Sequence, residues 1–294
     1  MAAPVLVVGG TGTVGQSVVY ELLAREIPVR ALVRDLEKGE VMLPGAELVQ
    51  ADLSDPASLP PALAGVERAF LLTSAAEELA ANETAFVEAA KLAGVKRIVK
   101  VSTYGAHAAS PLHLTRAHAL VEEALKASGL EYVIVQPHYF MQNLIGNSAQ
   151  IAEGVLGGLA GDGKIAWVDT RDVADVCVMA LTEDGLVGKT LPISGPEALS
   201  YADLAAKLSA ATGVAVEYSD GDPAETKEAM LEAGMPTWFV EDLVGLQQLF
   251  RDGKGADVTD VDPVLGRPGR TFDAFASDYA DLFGAAPASE PEPA

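Results

Sequence analysis

The chain has 294 residues, of which 49% are hydrophobic, so it can bury the core of one large α/β domain with a smaller lobe, or of two domains. Its formal net charge of -22 disfavours binding to nucleic acid or to an anionic membrane surface, because both carry negative charge. A single cysteine, Cys177, excludes an internal disulfide, and no uncharged apolar run is long enough to span a bilayer. We therefore expect a cytoplasmic protein in which Cys177 is a small buried side chain.

Apolar segments typical of strands alternate with amphipathic segments typical of helices over the first two-thirds of the chain. Strands are predicted at Val5–Val8, Val29–Val33, Glu47–Gln50, Ala69–Thr73, Arg97–Ser102, Tyr132–Gln136 and Thr190–Ile193. Helices are predicted at Val14–Glu26, Thr84–Ala93, Ala117–Ser128 and Asp172–Leu181. This alternation indicates an α/β fold with a doubly wound parallel sheet, covered by helices on both faces.

The sequence changes character after residue 195, and a small, mostly helical C-terminal lobe is expected at 196–284. Ser200 with Asp203 forms a capping box at the start of a helix that Gly213 ends. A second helix is predicted between Asp222 and Gly234.

Two other segments have distinctive compositions. The Gly- and Ala-rich segment 146–163 is predicted to be a mobile loop or a short helix near a site. The last residues, 285–294, are rich in Ala, Pro and Glu, so we expect a disordered tail.

A glycine-rich turn, within the letters VVGGTGTVG, follows the first predicted strand and opens the first predicted helix. Gly9, Gly12 and Gly15 satisfy G-x-x-G-x-x-G, and Gly10 with the last two satisfies G-x-G-x-x-G. Such glycines permit a tight turn, close approach of a pyrophosphate and close helix–strand packing. In this strand–turn–helix context the motif predicts a Rossmann-type NAD(P)-binding domain over 1–195. A substrate segment is expected within it at about 140–167. The alternative interpretation of the motif is a glycine turn that binds no ligand.

The end of the second predicted strand bears on the choice between NADPH and NADH. Arg34 there favours NADPH, because an arginine binds the 2′-phosphate, whereas an acidic residue binds the ribose 2′-OH of NADH. Asp35 is expected to cap the next helix, and NADH stays possible. Asp52 either contacts the adenine or caps its own turn. The cofactor contacts predicted from position are Gly9, Thr11, Gly12, Thr13, Val14, Gly15, Arg34, Asp52, Leu53, Leu72, Thr73, Ser74 and Ser102.

With these residues, the chain resembles the NmrA-like family of atypical short-chain dehydrogenases/reductases. The matching stretches are VVGGTGTVG, ALVRD, VKVSTYGA, HALVEEALKASGLEYVIVQPHYFMQN, DTRDVADV and ISGPEALSYADLAAKLSAATG. The resemblance implies NAD(P)H binding by the N-terminal sheet, and a small-molecule substrate between that sheet and the C-terminal lobe. A homodimer is a further expectation. The family includes quinone reductases, triphenylmethane-dye reductases, and regulators that bind the cofactor without known turnover.

The usual catalytic pair of short-chain dehydrogenases, Tyr-x-x-x-Lys, is missing. No tyrosine has a lysine four residues later, and Leu114 and His118 occupy the expected positions. The resemblance implies that His118 holds the nicotinamide ribose and that Pro137 flanks the nicotinamide; a surface histidine is the alternative for His118. Glu122 is placed to orient His118. Tyr104 is either a proton donor or a wall of the substrate pocket.

The loop after the sixth predicted strand supplies candidate substrate contacts. These are His138, Tyr139, Phe140, Asn143 and Trp167, in addition to Tyr104. The four histidines lack the spacing of zinc ligands, so no metal site is expected. A conjugated acceptor needs little acid–base assistance, so we expect an NAD(P)H-dependent reductase of quinones, enones, imines or dye-like compounds. The alternative is a regulatory protein that senses the NADP redox ratio and binds a partner.

Overall fold

The computed structural model describes residues 2–259 and 261–284, which form two compact units. The first unit comprises the chain up to Pro137 together with Thr170–Ile193. The second comprises His138–Asp169 and the chain from Ser194 onward. The predicted domain boundary at 195 stays a prediction; the segment 138–169 belongs to the second compact unit. The predicted tail, 285–294, lies outside the described residues.

The helices and strands are numbered here in chain order. The strands are β1 (Val5–Val8), β2 (Val29–Val33), β3 (Glu47–Gln50), β4 (Arg68–Leu71), β5 (Arg97–Val101), β6 (Glu131–Pro137), β7 (Val155–Gly158), β8 (Thr190–Ile193) and β9 (Glu217–Asp220). The α-helices are α1 (Thr13–Ala24), α2 (Leu36–Met42), α3 (Pro60–Leu63), α4 (Leu79–Leu92), α5 (His113–Ala127), α6 (Ser148–Ala152), α7 (Thr170–Thr182), α8 (Tyr201–Thr212), α9 (Pro223–Glu232), α10 (Thr237–Arg251), α11 (Asp262–Leu265) and α12 (Phe272–Asp278). Short 3₁₀ helices occur at Pro56–Ser58, Met141–Asn147 and Ala280–Phe283.

The first unit contains a seven-stranded sheet in the order β3-β2-β1-β4-β5-β6-β8, and every pair in it is parallel. All residues of β1 and β5 are buried, as expected for strands covered on both faces. The predicted doubly wound sheet is therefore confirmed. The strand order changes direction between β1 and β4, and ligands of such sheets bind at the carboxyl ends of the strands at this point.

Two helices of the first unit begin earlier than their sequence patterns predict. Helix α4 begins at Leu79 instead of Thr84, and α5 begins at His113 instead of Ala117. No side-chain cap is found at either start among the described residues, so the usual signal for a helix start is missing from the sequence. The earlier start of α5 places His118 in the second turn of the helix.

The second unit combines a small parallel pair, β7 with β9, and the helices α6 and α8–α12. The predicted capping box of α8 is confirmed, since Ser200 and Asp203 bond to each other's backbone N–H and Gly213 is left-handed at the helix end. The segment 146–163, predicted as a loop or a short helix, contains both α6 and β7. Aromatic and aliphatic side chains fill the core of this unit.

None of the helices among the described residues combines the length and the apolar character needed to cross a bilayer.

Candidate functional site

The glycine turn lies at the carboxyl end of β1 and leads directly into α1. Gly9 has φ of +79°, a left-handed conformation that glycine adopts without strain. The Gly12 N–H donates to the Gly9 carbonyl at 3.0 Å, which closes the turn. Gly12 is the N-cap of α1 and has no side chain to cap it, so the backbone N–H groups of the first helical turn are available to an anion.

The turn leaves no room for a side chain at two of its glycines. A Cβ on Gly9 would lie 2.0 Å from the carbonyl oxygen of Leu72, and a Cβ on Gly15 would lie 2.2 Å from that of Gly9. At Gly12, by contrast, the nearest atom would be 3.4 Å away, an ordinary contact. The protein itself therefore demands glycine at 9 and 15, but not at 12. Space kept open at Gly12 fits the close approach of a dinucleotide pyrophosphate.

The residues around this turn differ in how exposed they are to a ligand. Val14 is 2% exposed, so its side chain is not available to a ligand. Thr13 is exposed and Thr11 is half-buried, which leaves both hydroxyls accessible. The side chain of Leu53, 8% exposed, belongs to the hydrophobic core beneath the sheet.

Charged residues at the ends of β2 and β3 favour a phosphate over a hydroxyl. The Asp35 carboxylate accepts the Lys38 N–H at 3.0 Å and caps α2, as the sequence predicts. Arg34 is exposed, and its positive charge helps to lower the pKa of Asp52. The larger causes of that lowered pKa are hydrogen bonds from the Ser54 N–H and hydroxyl to Asp52. Asp52 thus caps its own turn, and Arg34 places an exposed positive charge close to it.

At the end of β4, Leu72 and Thr73 are half-buried and Ser74 is exposed. The Thr73 hydroxyl donates to Glu83 of α4 at 2.8 Å. Glu83 also forms an ion pair with Lys100 of β5, in which Nζ and Oε2 are 2.8 Å apart and both side chains are fully buried. Sequence reasoning missed this pair, although a lysine inside the apolar strand IVKV was a signal for it.

At the ends of β5 and β6, backbone and side-chain hydrogen bonds fix the predicted contacts. The Tyr104 N–H donates to the Pro137 carbonyl at 2.9 Å, and the Tyr104 side chain is half-buried. The Ser102 hydroxyl donates to Glu122 at 2.6 Å, so it can only accept from a ligand. Gln136 donates to the same carboxylate oxygen of Glu122 at 2.7 Å.

His118 lies on α5 with 9% of its surface exposed. Its Nδ1 is buried and has no hydrogen-bond partner among the described residues. Burial, and then the positive charge of Lys100, lower the pKa of His118 well below its usual value of 6.5. The prediction that Glu122 orients His118 is wrong, because its two oxygens bond to Ser102, Gln136 and Lys126.

Within the second unit, His138 and Tyr139 form an aromatic group with Phe250 and Trp167. His138 stacks on Phe250, and Tyr139 packs edgewise on Trp167 with the ring centres 5.0 Å apart. Burial lowers the pKa of His138 to about 4, while the charge of Asp257 opposes this. Burial likewise raises the pKa of Tyr139, although its hydrogen bonds oppose the change.

A cavity of about 470 Å³ lies inside the second unit, next to this group. Among the side chains that line it are Tyr139, Asn143, Tyr201, Met230, Leu243 and Gln247. Gln247 is 4% exposed, and its Nε2 donates to the Tyr201 hydroxyl at 3.2 Å. Its Oε1 is buried without a partner among the described residues, so the amide has hydrogen-bonding capacity that the protein does not use.

Only some of the predicted substrate contacts of the second unit line this cavity. Tyr139 and Asn143 line the cavity, whereas His138, Phe140 and Trp167 are not among its lining residues. Trp167 is fully buried and its indole N–H donates to the Leu199 carbonyl at 3.1 Å, so the prediction that it faces a substrate is wrong. The Phe140 backbone forms a bridge with Val168.

The described residues offer neither a metal-binding cluster nor a reactive thiol. No three His, Cys, Asp or Glu side chains of 2–259 and 261–284 are grouped so that they could hold a metal ion. Cys177 is fully buried, as predicted, and burial raises the pKa of its thiol, so it is a poor nucleophile.

Residues 1–276 match the family model of the NmrA-like family. The chain belongs to the NmrA-like family. The resemblance proposed from the sequence motifs is therefore confirmed.

Several known proteins are similar to this chain over nearly their whole length. The NAD(P)H azoreductase of Xenophilus azovorans is 40% identical, with 96% of this chain and 100% of the relative covered. The NADPH-dependent quinone oxidoreductase of Escherichia coli, solved with NADPH, is 30% identical with a TM-score of 0.82, covering 93% and 99%. The Citrobacter sp. triphenylmethane reductase is 25% identical with a TM-score of 0.82, covering 94% and 99%.

Proposed function

We propose that this member of the NmrA-like family is an NAD(P)H-dependent oxidoreductase that reduces a small conjugated acceptor. The glycine turn carries the proposal, because the packing of the protein requires glycine at 9 and 15 but not at 12, and a dinucleotide pyrophosphate that approaches the backbone is a reason for glycine there. Similar proteins named as azoreductase, quinone oxidoreductase and triphenylmethane reductase support the reaction class. They give no support to the alternative of a regulator without turnover.

The first unit supplies the cofactor site. The N–H groups at the start of α1 bind the pyrophosphate, and Arg34 binds the 2′-phosphate of NADPH. Asp35 and Asp52 are occupied by their capping hydrogen bonds, which weakens the case for NADH. His118 holds the nicotinamide ribose. The bound cofactor supplies a hydride to the acceptor.

The proton that completes the reduction has few sources in the first unit. The Ser102 hydroxyl is already committed to Glu122, and the low pKa of His118 makes it a neutral group at pH 7. Tyr104 is the remaining side-chain candidate, with water as the alternative. Water as the proton source suits quinones and azo or imine compounds, because their reduced anions are stable enough to take a proton from it.

The cavity of the second unit binds the acceptor. Its aromatic and aliphatic walls suit a flat conjugated molecule, and the free oxygen of Gln247 suits an acceptor with an N–H or O–H group. A cytoplasmic location and a homodimer stay predictions.

The test mixes the pure protein with NADPH and a panel of quinones, enones, imines and azo compounds, and follows the absorbance of the reduced nicotinamide. We expect oxidation with a subset of the panel, and slower oxidation with NADH. Measurable NADPH binding without oxidation of any acceptor would contradict the reductase and favour the cofactor-sensing regulator. Free NADPH with the protein omitted is the control for spontaneous reaction with quinones.

A further inference from the structure

The strand β7 ends in two consecutive glycines, Gly157 and Gly158, and both line the cavity of the second unit. A glycine weakens a strand, because it leaves the unfolded chain freer and offers no side chain to pack. A glycine at such a position therefore has a specific cause. The known causes are a bulge, an unusual backbone conformation, the close approach of another part of the protein, and the close approach of a ligand.

The backbone of β7 is regular at both glycines. The strand pairs with β9 in an unbroken parallel register, from Val155 with Glu217 to Gly158 with Asp220, so no bulge interrupts it. Neither Gly157 nor its neighbour has a positive φ, so neither needs the left-handed conformation that favours glycine. The cause of each glycine must therefore lie in the space next to its Cα atom.

The two glycines differ in what a side chain would meet. A Cβ on Gly158 would lie 3.0 Å from the ring of Tyr201, which belongs to the hydrophobic core of this unit, so packing of the protein explains this glycine. Apart from its chain neighbours, a Cβ on Gly157 would have only one atom of the described residues within 4 Å, the Gln150 Oε1 at 3.9 Å. Neither backbone nor packing requires glycine at 157, which leaves the approach of a ligand.

The lining of the cavity has a buried end and an exposed end. Tyr201 and Gln247 are buried, whereas Gln150 and Ser219 are exposed. Gly157 lies with the exposed group, because Ser219 is its register partner on β9 and Gln150 is the side chain nearest to the position of its Cβ. With glycine on one strand and serine on the other, the exposed end carries little side-chain bulk.

The size of the cavity indicates what this open space accommodates. A cavity of about 150 Å³ is enough for one benzene ring, so a volume of about 470 Å³ has room for more than one. We propose that Gly157 is a specificity-determining residue that keeps the exposed end open for the second ring of a two-ring conjugated acceptor. The first ring occupies the buried end, beside Tyr201 and Gln247. This inference rests on the proposed acceptor cavity and narrows its substrate class.

The test uses two ligands that differ by one ring and cannot accept a hydride, 4-methylphenol and 4-phenylphenol. Their binding to the full chain without cofactor is measured by isothermal titration calorimetry. The wild type should bind 4-phenylphenol about tenfold more tightly or better, because a second ring is removed from water. Equal affinities for the two phenols, or no binding of 4-phenylphenol, would overturn the proposal.

The variants Gly157→Ala and Gly157→Val fill the exposed end in two steps. A change of one methylene group in a fitted apolar pocket alters discrimination about 10- to 200-fold. The affinity for 4-phenylphenol should therefore fall about tenfold or more in Gly157→Val and by less in Gly157→Ala, while 4-methylphenol is affected much less. Equal losses for the two phenols, or no loss for either, would overturn the proposal.

Folding of the variants is checked by thermal unfolding. Valine is favoured in strands and its Cβ meets no close protein atom, so Gly157→Val should unfold at the wild-type temperature or above. If the valine variant does not fold, Gly157→Ala decides. Val155→Leu is the matched control, because Val155 is an exposed residue of the same strand that does not line the cavity, and it should leave both affinities unchanged.

Turnover separates this inference from the proposed function. The acceptors 2-methyl-1,4-benzoquinone and 2-phenyl-1,4-benzoquinone share the reacting ring, so comparing the ratio of their kcat/KM values between variant and wild type cancels the chemistry of that ring. Gly157→Val should lower the phenyl-to-methyl ratio about tenfold or more. A selective loss of 4-phenylphenol binding in a protein that oxidises NADPH with no acceptor would uphold the two-ring site and reject the reductase. The same loss with an unchanged quinone ratio would overturn the role of Gly157 in acceptor specificity.

Discussion

A methyl group at Gly12 tests whether the turn is shaped for a ligand or only for the protein. The backbone of Gly12 is extended, with φ of -90° and ψ of 168°, so alanine fits without strain. Its Cβ would meet no protein atom closer than 3.4 Å. Gly12→Ala should therefore fold with nearly unchanged stability, because alanine is a poorer N-cap than glycine but also restricts the unfolded chain.

The expected loss of affinity follows from the hydrogen bonds that the pyrophosphate makes to the start of α1. A hydrogen bond to a charged group contributes about 1.5–3 kcal/mol. If the methyl group displaces the phosphate from one such bond, NADPH affinity falls about 10- to 150-fold. Gly15→Ala is the contrasting variant, because its Cβ would lie 2.2 Å from the Gly9 carbonyl. Such overpacking costs about 1–3 kcal/mol of folding stability.

Binding is measured by NADPH fluorescence titration, and stability by thermal unfolding without cofactor. We expect Gly12→Ala to unfold near the wild-type temperature and bind weakly, and Gly15→Ala to unfold at a lower temperature. Wild-type NADPH affinity in Gly12→Ala would refute the assignment of this turn to the pyrophosphate. An unfolding temperature in Gly12→Ala as low as that of Gly15→Ala would contradict the open space described at Gly12.

Three further variants address the other contacts. Arg34→Ala should weaken NADPH binding about tenfold or more while leaving NADH nearly unchanged, as one charge-assisted contact is lost; equal losses in a paired titration would argue against a 2′-phosphate contact. Gln247→Leu should raise the KM for the acceptor without changing NADPH affinity, because Gln247 lines the cavity. The control Gln248→Leu, at an exposed neighbouring position, should change neither quantity. The same KM in both variants would contradict binding of the acceptor in this cavity. In the folded protein the pKa of His138 is lowered from 6.5 to about 4, so between these pH values the unfolded state binds a proton that the folded state does not. The free energy of unfolding should therefore fall as the pH drops from 6.5 to 4, by up to about 3 kcal/mol. Urea titrations should show a shallower fall in His138→Asn, and parallel curves would contradict this assignment.

Local patterns predicted the elements that carry the cofactor site. The segment from Val5 to Gly15 contains both the apolar strand and the glycines that end it, so β1, the turn and the start of α1 follow from one short segment. The capping box at Ser200 and Asp203 likewise marks the start of α8 with residues only three apart. Signals of this kind depend on neighbours in the chain, which is why they are readable from one sequence.

The errors concern side chains whose surroundings come from distant parts of the chain. Trp167 looked like an aromatic ligand contact, but its N–H partner, the Leu199 carbonyl, is 32 residues away. Glu122 was one helical turn from His118, yet it bonds to Ser102, 20 residues away, and to Gln136. The Lys100–Glu83 pair was missed because only the sheet and the helix packed on it bring the two charges together.

The route of the chain through its two units limits how this protein can be divided or recombined. The chain leaves the first unit after Pro137, re-enters it at Thr170 and leaves it again after Ile193. A fragment cut at residue 195 would thus retain Trp167 but lose the Leu199 carbonyl that its indole binds. The second unit can be exchanged between relatives only as two separate insertions made together. New acceptor specificity is therefore more accessible through single changes in the cavity wall than through exchange of a whole lobe.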